Sequence, residues 1–185
     1  CALQAAWTAA FSFDQMALSV PLLVGIPMTL SRVYSATQEG LSHGAFSFLL
    51  GKLPFSLHYS WTAIASLVNM NLLAVKLDAA PSTQLGLGLL TQLAATAFGA
   101  AESWRRCDPV PALVGSWALL AISANDGVAG QRIVSSAPQL SRHVDGLTSL
   151  ARGCGRGLAL LSAAVLARNV FVWWQRPPPA LSKAQ

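Results

Sequence analysis

Charged residues are scarce in this sequence of 185 residues. They make up 10% of the chain, whereas an ordinary soluble domain carries about 25%. Hydrophobic residues make up 54%, and the mean hydropathy is +0.50. This composition leaves little material for a soluble domain and predicts an integral membrane protein.

Cysteines are also few, and the common catalytic motifs are missing. Cys1, Cys107 and Cys154 form no CxxC pair and are odd in number, which argues against a disulfide framework or a zinc site. There is no HExxH or P-loop, and GCGRG at residues 153–157 lacks the dinucleotide-binding spacing. We therefore predict no catalytic residue, no metal site and no enzymatic activity.

The positive charge does not point to nucleic acid. The formal net charge is +5, but the 12 basic residues are scattered among predicted loops and helix ends. A nucleic-acid surface would show a basic stripe with interleaved aromatic residues. We expect these cations to flank membrane helices, and we expect no nucleic-acid partner.

A long charge-free stretch in the first half of the sequence is the most informative part of the chain. Residues 53–75 hold 23 uncharged residues between Lys52 and Lys76. About 20 mostly apolar residues are enough for a helix to cross a bilayer. If the stretch is helical, one face collects polar side chains, namely His58, Thr62, Ser66 and Asn69. The pattern predicts a membrane helix with a functional side.

The whole chain is predicted to be all-α, a polytopic membrane protein with a bundle of five transmembrane helices. The five predicted helices cover approximately residues 14–34, 53–77, 83–101, 109–126 and 150–174. They form one membrane domain over residues 1–176, followed by an extended proline-rich tail at 177–185. The third helix carries a seam of small and amide residues that is expected to pack against its neighbours: Gly88, Gln92, Ala95 and Gly99.

Four residues are candidates for binding a ligand or pigment. The imidazole of His58 could ligate the metal of a haem or chlorophyll, or it could hydrogen-bond to a neighbouring helix or to interfacial water. Asn69 could contact a ligand or join two helices by a hydrogen bond. Trp61 and Trp117 could line a flat apolar pocket for a planar ligand, or they could simply pack.

The central stretch resembles a motif of the TspO/MBR-type tryptophan-rich sensory proteins, in a divergent branch of that family. The similar segment is LPFSLHYSWTAIASLVN, and the resemblance covers roughly residues 5–130, with departures at His58 and Tyr59. The matching positions are Pro54, Phe55, Ser56, Trp61, Ala65 and Asn69. The resemblance implies a five-helix bundle that binds tetrapyrroles and sterols, with no settled enzymatic activity.

Two roles remain open at this point. One is an accessory or scaffold subunit of an organellar complex, in contact with neighbouring subunits, membrane lipids and chlorophyll, carotenoid or another tetrapyrrole. The first residue is Cys1, which suggests a removed targeting segment or a truncated sequence. For the organelle, we favour the chloroplast thylakoid over a mitochondrial membrane. The alternative is a stand-alone sensor or carrier of tetrapyrroles or sterols.

Overall fold

The computed structural model describes residues 2–40, 48–124 and 128–175, and these residues contain helices and no strand. The predicted all-α class is therefore confirmed. Seven α-helices occur in the described part of the chain: α1 (Ala2–Ser12), α2 (Met16–Gly40), α3 (Leu53–Lys76), α4 (Pro81–Arg106), α5 (Val110–Ala124), α6 (Val128–Ser136) and α7 (Ser141–Trp174). A π-helical turn at Phe48–Lys52 precedes α3, and a 3-10 turn at Pro138–Leu140 precedes α7.

The helix boundaries differ from the prediction at both ends of the chain. A separate helix, α1, comes before the first predicted one, and it packs against α2. The chain turns between them at Asp14, whose φ of 59° is left-handed. Near the other end, α6 and the first turns of α7 lie between residues 126 and 150, where no helix was predicted. The predicted tail at residues 177–185 lies outside the described residues.

The five-span count is not confirmed. Among the described helices, two are long and apolar enough to cross a membrane by length and composition, over Met16–Ala36 and Pro138–Trp174. Val110–Ala124 is apolar but shorter. The helix α3 is not among them, because polar side chains lower its hydropathy. Most of these polar groups are buried against other helices: Ser56, Ser60, Thr62, Ser66 and Asn69.

The helix α5 forms the centre of the bundle. It packs against α3, α4 and α7, and nine of its 15 residues are buried. On one side Val110, Val114 and Ala118 pack against Ile64 and Ala95. On the other side, α5 residues pack with α7 in a second apolar cluster made of Ala112, Leu119, Ala151 and Leu158. The mainly small side chains of α5 let three helices approach it closely.

The predicted seam on α4 is packed over only half of its length. A Cβ on Gly99 would lie 3.3 Å from both Leu158 Cδ1 and the carbonyl oxygen of Pro111, and Ala95 is part of the apolar core. At Gly88 the nearest atom would be 3.7 Å away. Gln92 is buried, but its Oε1 has no hydrogen-bond partner. The half of the seam that contains Gly88 and Gln92 borders a cavity instead of a packed helix.

A cluster of buried and half-buried polar residues joins four helices at one end of the bundle. We call it the polar end cluster, and it consists of Tyr34, Ser56, Glu102, Arg106 and Asp108. The Tyr34 hydroxyl on α2 donates a hydrogen bond to the carboxylate of Asp108. Ser56 on α3 donates to the Tyr34 oxygen at 3.3 Å. The other carboxylate oxygen of Asp108 accepts the backbone N–H of Val110 at 2.9 Å, at the start of α5.

The arginine of this cluster connects it to α4. The Arg106 guanidinium lies over the Tyr34 ring, 4.5 Å from its centroid, and its Nε donates to Glu102 at 2.6 Å. It also donates to Ser35 Oγ at 3.1 Å. Both carboxylates of the cluster are therefore paired with donors, as buried charges must be. The cluster fixes the ends of α2 and α4 against the starts of α3 and α5.

Candidate functional site

An open apolar groove of about 780 Å³ lies between α3 and α5. Its walls come from the first two turns of α3 and the middle of α5, where these helices pack together. His58 is the one polar residue of the lining, which consists of Pro54, Leu57, His58, Trp61, Leu113, Val114 and Trp117. Three of the four residues that were predicted to bind a ligand therefore share one site.

The two tryptophans of the groove lining contact each other. Their ring centroids are 5.3 Å apart, with an angle of 50° between the rings. Trp61 is 45% exposed and Trp117 is 59% exposed, so both rings face away from the bundle. Because the rings are tilted, a planar ligand can stack on one ring while its edge meets the other.

His58 lies one helical turn before Trp61, so the two side chains are neighbours on the same face of α3. The imidazole is exposed, and among the described residues no group hydrogen-bonds to it. The alternative of an interhelical hydrogen bond is therefore not what the structure shows. The imidazole remains available to a ligand in the groove or to interfacial water.

Asn69 lies away from the groove and joins two helices. It is 2% exposed, and its Nδ2 donates to Ser19 Oγ on α2 at 2.7 Å. This geometry corresponds to the interhelical hydrogen bond that was the alternative to ligand contact. Thr62 and Ser66, which were predicted on the same face as His58, are buried as well. The predicted polar face thus divides into a buried part and the exposed His58.

The apolar walls of the groove were not predicted. Leu57, Leu113 and Val114 were part of apolar runs that gave no sign of a site. The signal available in the sequence was the spacing of Leu113 and Trp117, four residues apart and thus on one helix face. That spacing does not reveal which other helix this face meets.

His58 is the one residue of the groove lining that could ligate a metal, and Trp61 and Trp117 are its aromatic residues. A neutral histidine nitrogen is the usual protein ligand for the metal in haem proteins. Among the described residues, no three His, Cys, Asp or Glu side chains are grouped so that they could hold a bare metal ion. If a metal-containing planar ligand bound here, His58 would be the side chain that holds its metal, and Trp61 and Trp117 would contact its ring.

Comparison with known proteins identifies the family of this chain. The sequence model of the family described as TSPO-like protein matches residues 1–140, which is more than half of the chain and includes the whole groove. No curated protein and no solved structure gives a significant match. The resemblance predicted from the central helix is confirmed. The chain is therefore an integral membrane protein that belongs to the TSPO-like protein family.

Proposed function

We propose that this protein is a non-enzymatic membrane subunit that binds a planar pigment-class ligand in the groove between α3 and α5. The ligand class is chlorophyll or another tetrapyrrole, with a carotenoid as the metal-free possibility. The observation that carries the proposal is the meeting of His58, Trp61 and Trp117 in one apolar groove. A histidine nitrogen would bind the metal, and the aromatic pair would support the ring system.

The position of the groove favours an accessory or scaffold subunit over an enclosed carrier. Its walls are the outer surfaces of two helices, and Leu57 and Leu113 are 50% and 56% exposed. A ligand held there has this chain on one side and membrane lipid or a neighbouring subunit on the other. The proposed setting is an organellar complex, with a photosynthetic thylakoid membrane favoured over a mitochondrial one.

Replacing His58 with alanine is expected to weaken the binding of zinc protoporphyrin by about tenfold, the equivalent of about 1.4 kcal/mol. The zinc centre can accept one axial nitrogen in addition to the four of the macrocycle, and H58A removes that nitrogen. Detergent-purified wild-type and variant proteins are titrated, and the shift of the porphyrin's Soret absorption band is followed.

Two comparisons make this titration specific. His143→Ala removes another exposed histidine, on α7 and outside the groove lining, and should leave the affinity unchanged. Metal-free protoporphyrin should bind H58A as well as the wild type, because it needs no axial ligand, whereas Trp117→Ala should weaken both porphyrins. Equal affinities of wild type and H58A for the zinc compound would refute the role of His58.

Extraction from a native membrane tests the subunit role separately. Gentle-detergent extraction is followed by sizing and an absorption spectrum of the fraction that contains this chain. We expect migration in a large pigmented particle. A small colourless monomer or dimer would contradict the subunit role, and porphyrin uptake by that species would support a stand-alone tetrapyrrole sensor or carrier.

A further inference from the structure

Two arginines on the outer face of α7 have no counter-ion in the described part of the chain. Arg152 and Arg156 are both exposed and lie one helical turn apart. Among the described residues, no group forms a hydrogen bond or an ion pair with either of them. By contrast, Arg105 and Arg106 on α4 both pair with Glu102. Two like charges four residues apart destabilise a helix unless an anion lies near them.

The sequence around these arginines supplies no such anion. Residues 146–185 contain no Asp or Glu. The acidic residue that precedes this segment, Asp145, lies seven residues before Arg152, which corresponds to about 10 Å along the helix. The anion that neutralises Arg152 and Arg156 therefore has to come from outside the described part of the chain.

The two arginines lie at a level of α7 that corresponds to a membrane surface. The helix belongs to a candidate membrane span, Pro138–Trp174. Trp173, near its end, is 65% exposed, and exposed tryptophans of membrane helices are typical of the interface. Arg156 lies 17 residues before Trp173, which is about 26 Å of helix, and Arg152 lies about 32 Å away. The hydrocarbon core is about 30 Å thick, so the arginines lie among the headgroups of the opposite leaflet.

The surface beside the arginines is open, and it becomes apolar towards the middle of the span. A Cβ at Gly153 or at Gly157 would have no atom within 4 Å. One turn further along, Leu160 is 73% exposed, and the exposed Ala164 follows on the same face. Cationic side chains, small residues and apolar side chains thus follow one another in the order of the phosphate, the glycerol and the acyl chain of a phospholipid.

We infer that Arg152 and Arg156 bind the phosphate of an anionic phospholipid, whose acyl chain lies along Leu160. Guanidinium groups form paired hydrogen bonds with phosphate oxygens, and side chains four residues apart are close enough to share one phosphate. A zwitterionic headgroup carries its own cation, which the arginines repel. The site therefore selects lipids whose headgroup has a net negative charge.

This site is independent of the pigment groove and of the segment that identifies the family. The groove lining contains no residue of α7. The family model matches residues 1–140, whereas α7 begins at Ser141. The inference therefore goes beyond the proposed function and does not rest on it.

The same face is unfavourable for a second copy of this chain. Small residues such as Gly153 and Gly157 allow helices to approach closely in a membrane. A two-fold contact uses the same patch on both copies, so it would bring Arg156 of one copy near Arg156 of the other. Like charges that face each other across an interface oppose association. Charge complementarity therefore favours an anionic lipid as the occupant.

Native mass spectrometry of the full chain, released from detergent micelles, tests the inference. Dioleoylphosphatidylglycerol and dioleoylphosphatidylcholine have the same acyl chains and differ in net charge, and each is titrated separately. An arginine near a membrane surface strengthens the binding of anionic lipid by about fivefold. We therefore expect the first phosphatidylglycerol to bind the wild type about 25-fold more tightly than phosphatidylcholine. The double variant Arg152→Gln/Arg156→Gln should reduce this preference to less than about threefold.

Two further variants distinguish a site from a general positive charge. Arg132→Gln/Arg142→Gln removes the same charge from two exposed positions, on α6 and on α7 ten residues before Arg152, and it should keep the preference of about 25-fold. Gly153→Glu keeps both arginines and places a carboxylate three residues before Arg156, where the two side chains pair. It should remove the preference without disturbing the fold, because a side chain at this position meets no neighbour.

Three results would overturn the inference. Equal affinities of the wild type for the two lipids would show that the face does not select an anionic headgroup. An equal loss of preference in the two double arginine variants would mean that the attraction comes from overall charge. A wild-type dimer that binds no phosphatidylglycerol would assign the face to a second copy of the chain. None of these measurements depends on porphyrin binding in the outer groove.

Discussion

Replacing Asp108 with alanine is expected to lower the free energy of unfolding by about 2–4 kcal/mol, because two buried donors lose their acceptor. The Asp108 side chain is fully buried. It accepts one hydrogen bond from the Tyr34 hydroxyl and one from the N–H of Val110. The second bond also places a carboxylate at the N-terminus of α5, where the helix dipole favours negative charge. Unfolding in mixed micelles of a mild and a denaturing detergent measures the loss.

The control for this variant is Asp145→Ala. Asp145 is exposed on α7, and its replacement should change stability by less than about 0.5 kcal/mol, as surface substitutions usually do. Asp108→Asn keeps an acceptor oxygen of similar shape and should fall between the two. If the alanine variants at positions 108 and 145 unfold alike, the polar end cluster does not stabilise the bundle.

A double-mutant cycle separates the tyrosine contact from the rest of this effect. Tyr34→Phe removes the hydroxyl and leaves the ring beneath the Arg106 guanidinium. Combined with Asp108→Ala, it should show a coupling of about 1 kcal/mol or more, because directly bonded side chains are not additive. Additive effects would mean that Asp108 acts only through the start of α5.

The local pattern was sufficient to predict the helical class and the components of the candidate site. His58 and Trp61 are three residues apart, so a helix places them together without any knowledge of the fold. Trp117 is far away in the sequence, and a shared pocket with Trp61 was one of two possibilities that the sequence left open. Its meeting with Trp61 depends on which faces of α3 and α5 pack, and a single sequence does not contain that information.

The polar end cluster could not be predicted, because Tyr34, Glu102 and Asp108 lie at or just beyond the ends of the predicted helices. Tyr34 is the last residue of the first predicted helix, and Glu102 follows the third predicted helix, which was expected to end at residue 101. In the structure α4 continues to Arg106. Glu102 and Arg106 therefore lie four residues apart on one helix, where they form an ion pair. This pairing allows the carboxylate to be buried.

The cavity beside Gln92 was missed for a related reason. Small and amide residues at helical spacing predict close packing, and at Ala95 and Gly99 the helices do pack closely. At Gly88 the same pattern borders empty space, since the neighbouring wall is formed by α6 and the start of α7. No helix was predicted over most of the segment that those elements occupy, between residues 126 and 150. A seam in one helix indicates that a neighbour approaches, but not how closely.

Replacing Gly155 with alanine is expected to destabilise the bundle by about 1–3 kcal/mol, the usual cost of overpacking a core. Gly155 is buried where α7 crosses α5. A Cβ there would lie 2.9 Å from Leu120 Cγ and 3.2 Å from the backbone nitrogen of Leu120. Neither atom is the free end of a flexible side chain, so the two helices have to move apart.

Gly153→Ala is the matched variant on the same helix, since a Cβ at Gly153 would have no atom within 4 Å. Alanine in place of a helical glycine gains up to about 1 kcal/mol, and this gain is common to both substitutions. The difference in unfolding free energy between the two variants therefore isolates the contact between α7 and α5. We expect the Gly153 variant to be at least as stable as the wild type. If both variants are equally stable, α7 does not pack against Leu120 as closely as the structure places it, and the small residues of α5 do not determine how closely the helices approach.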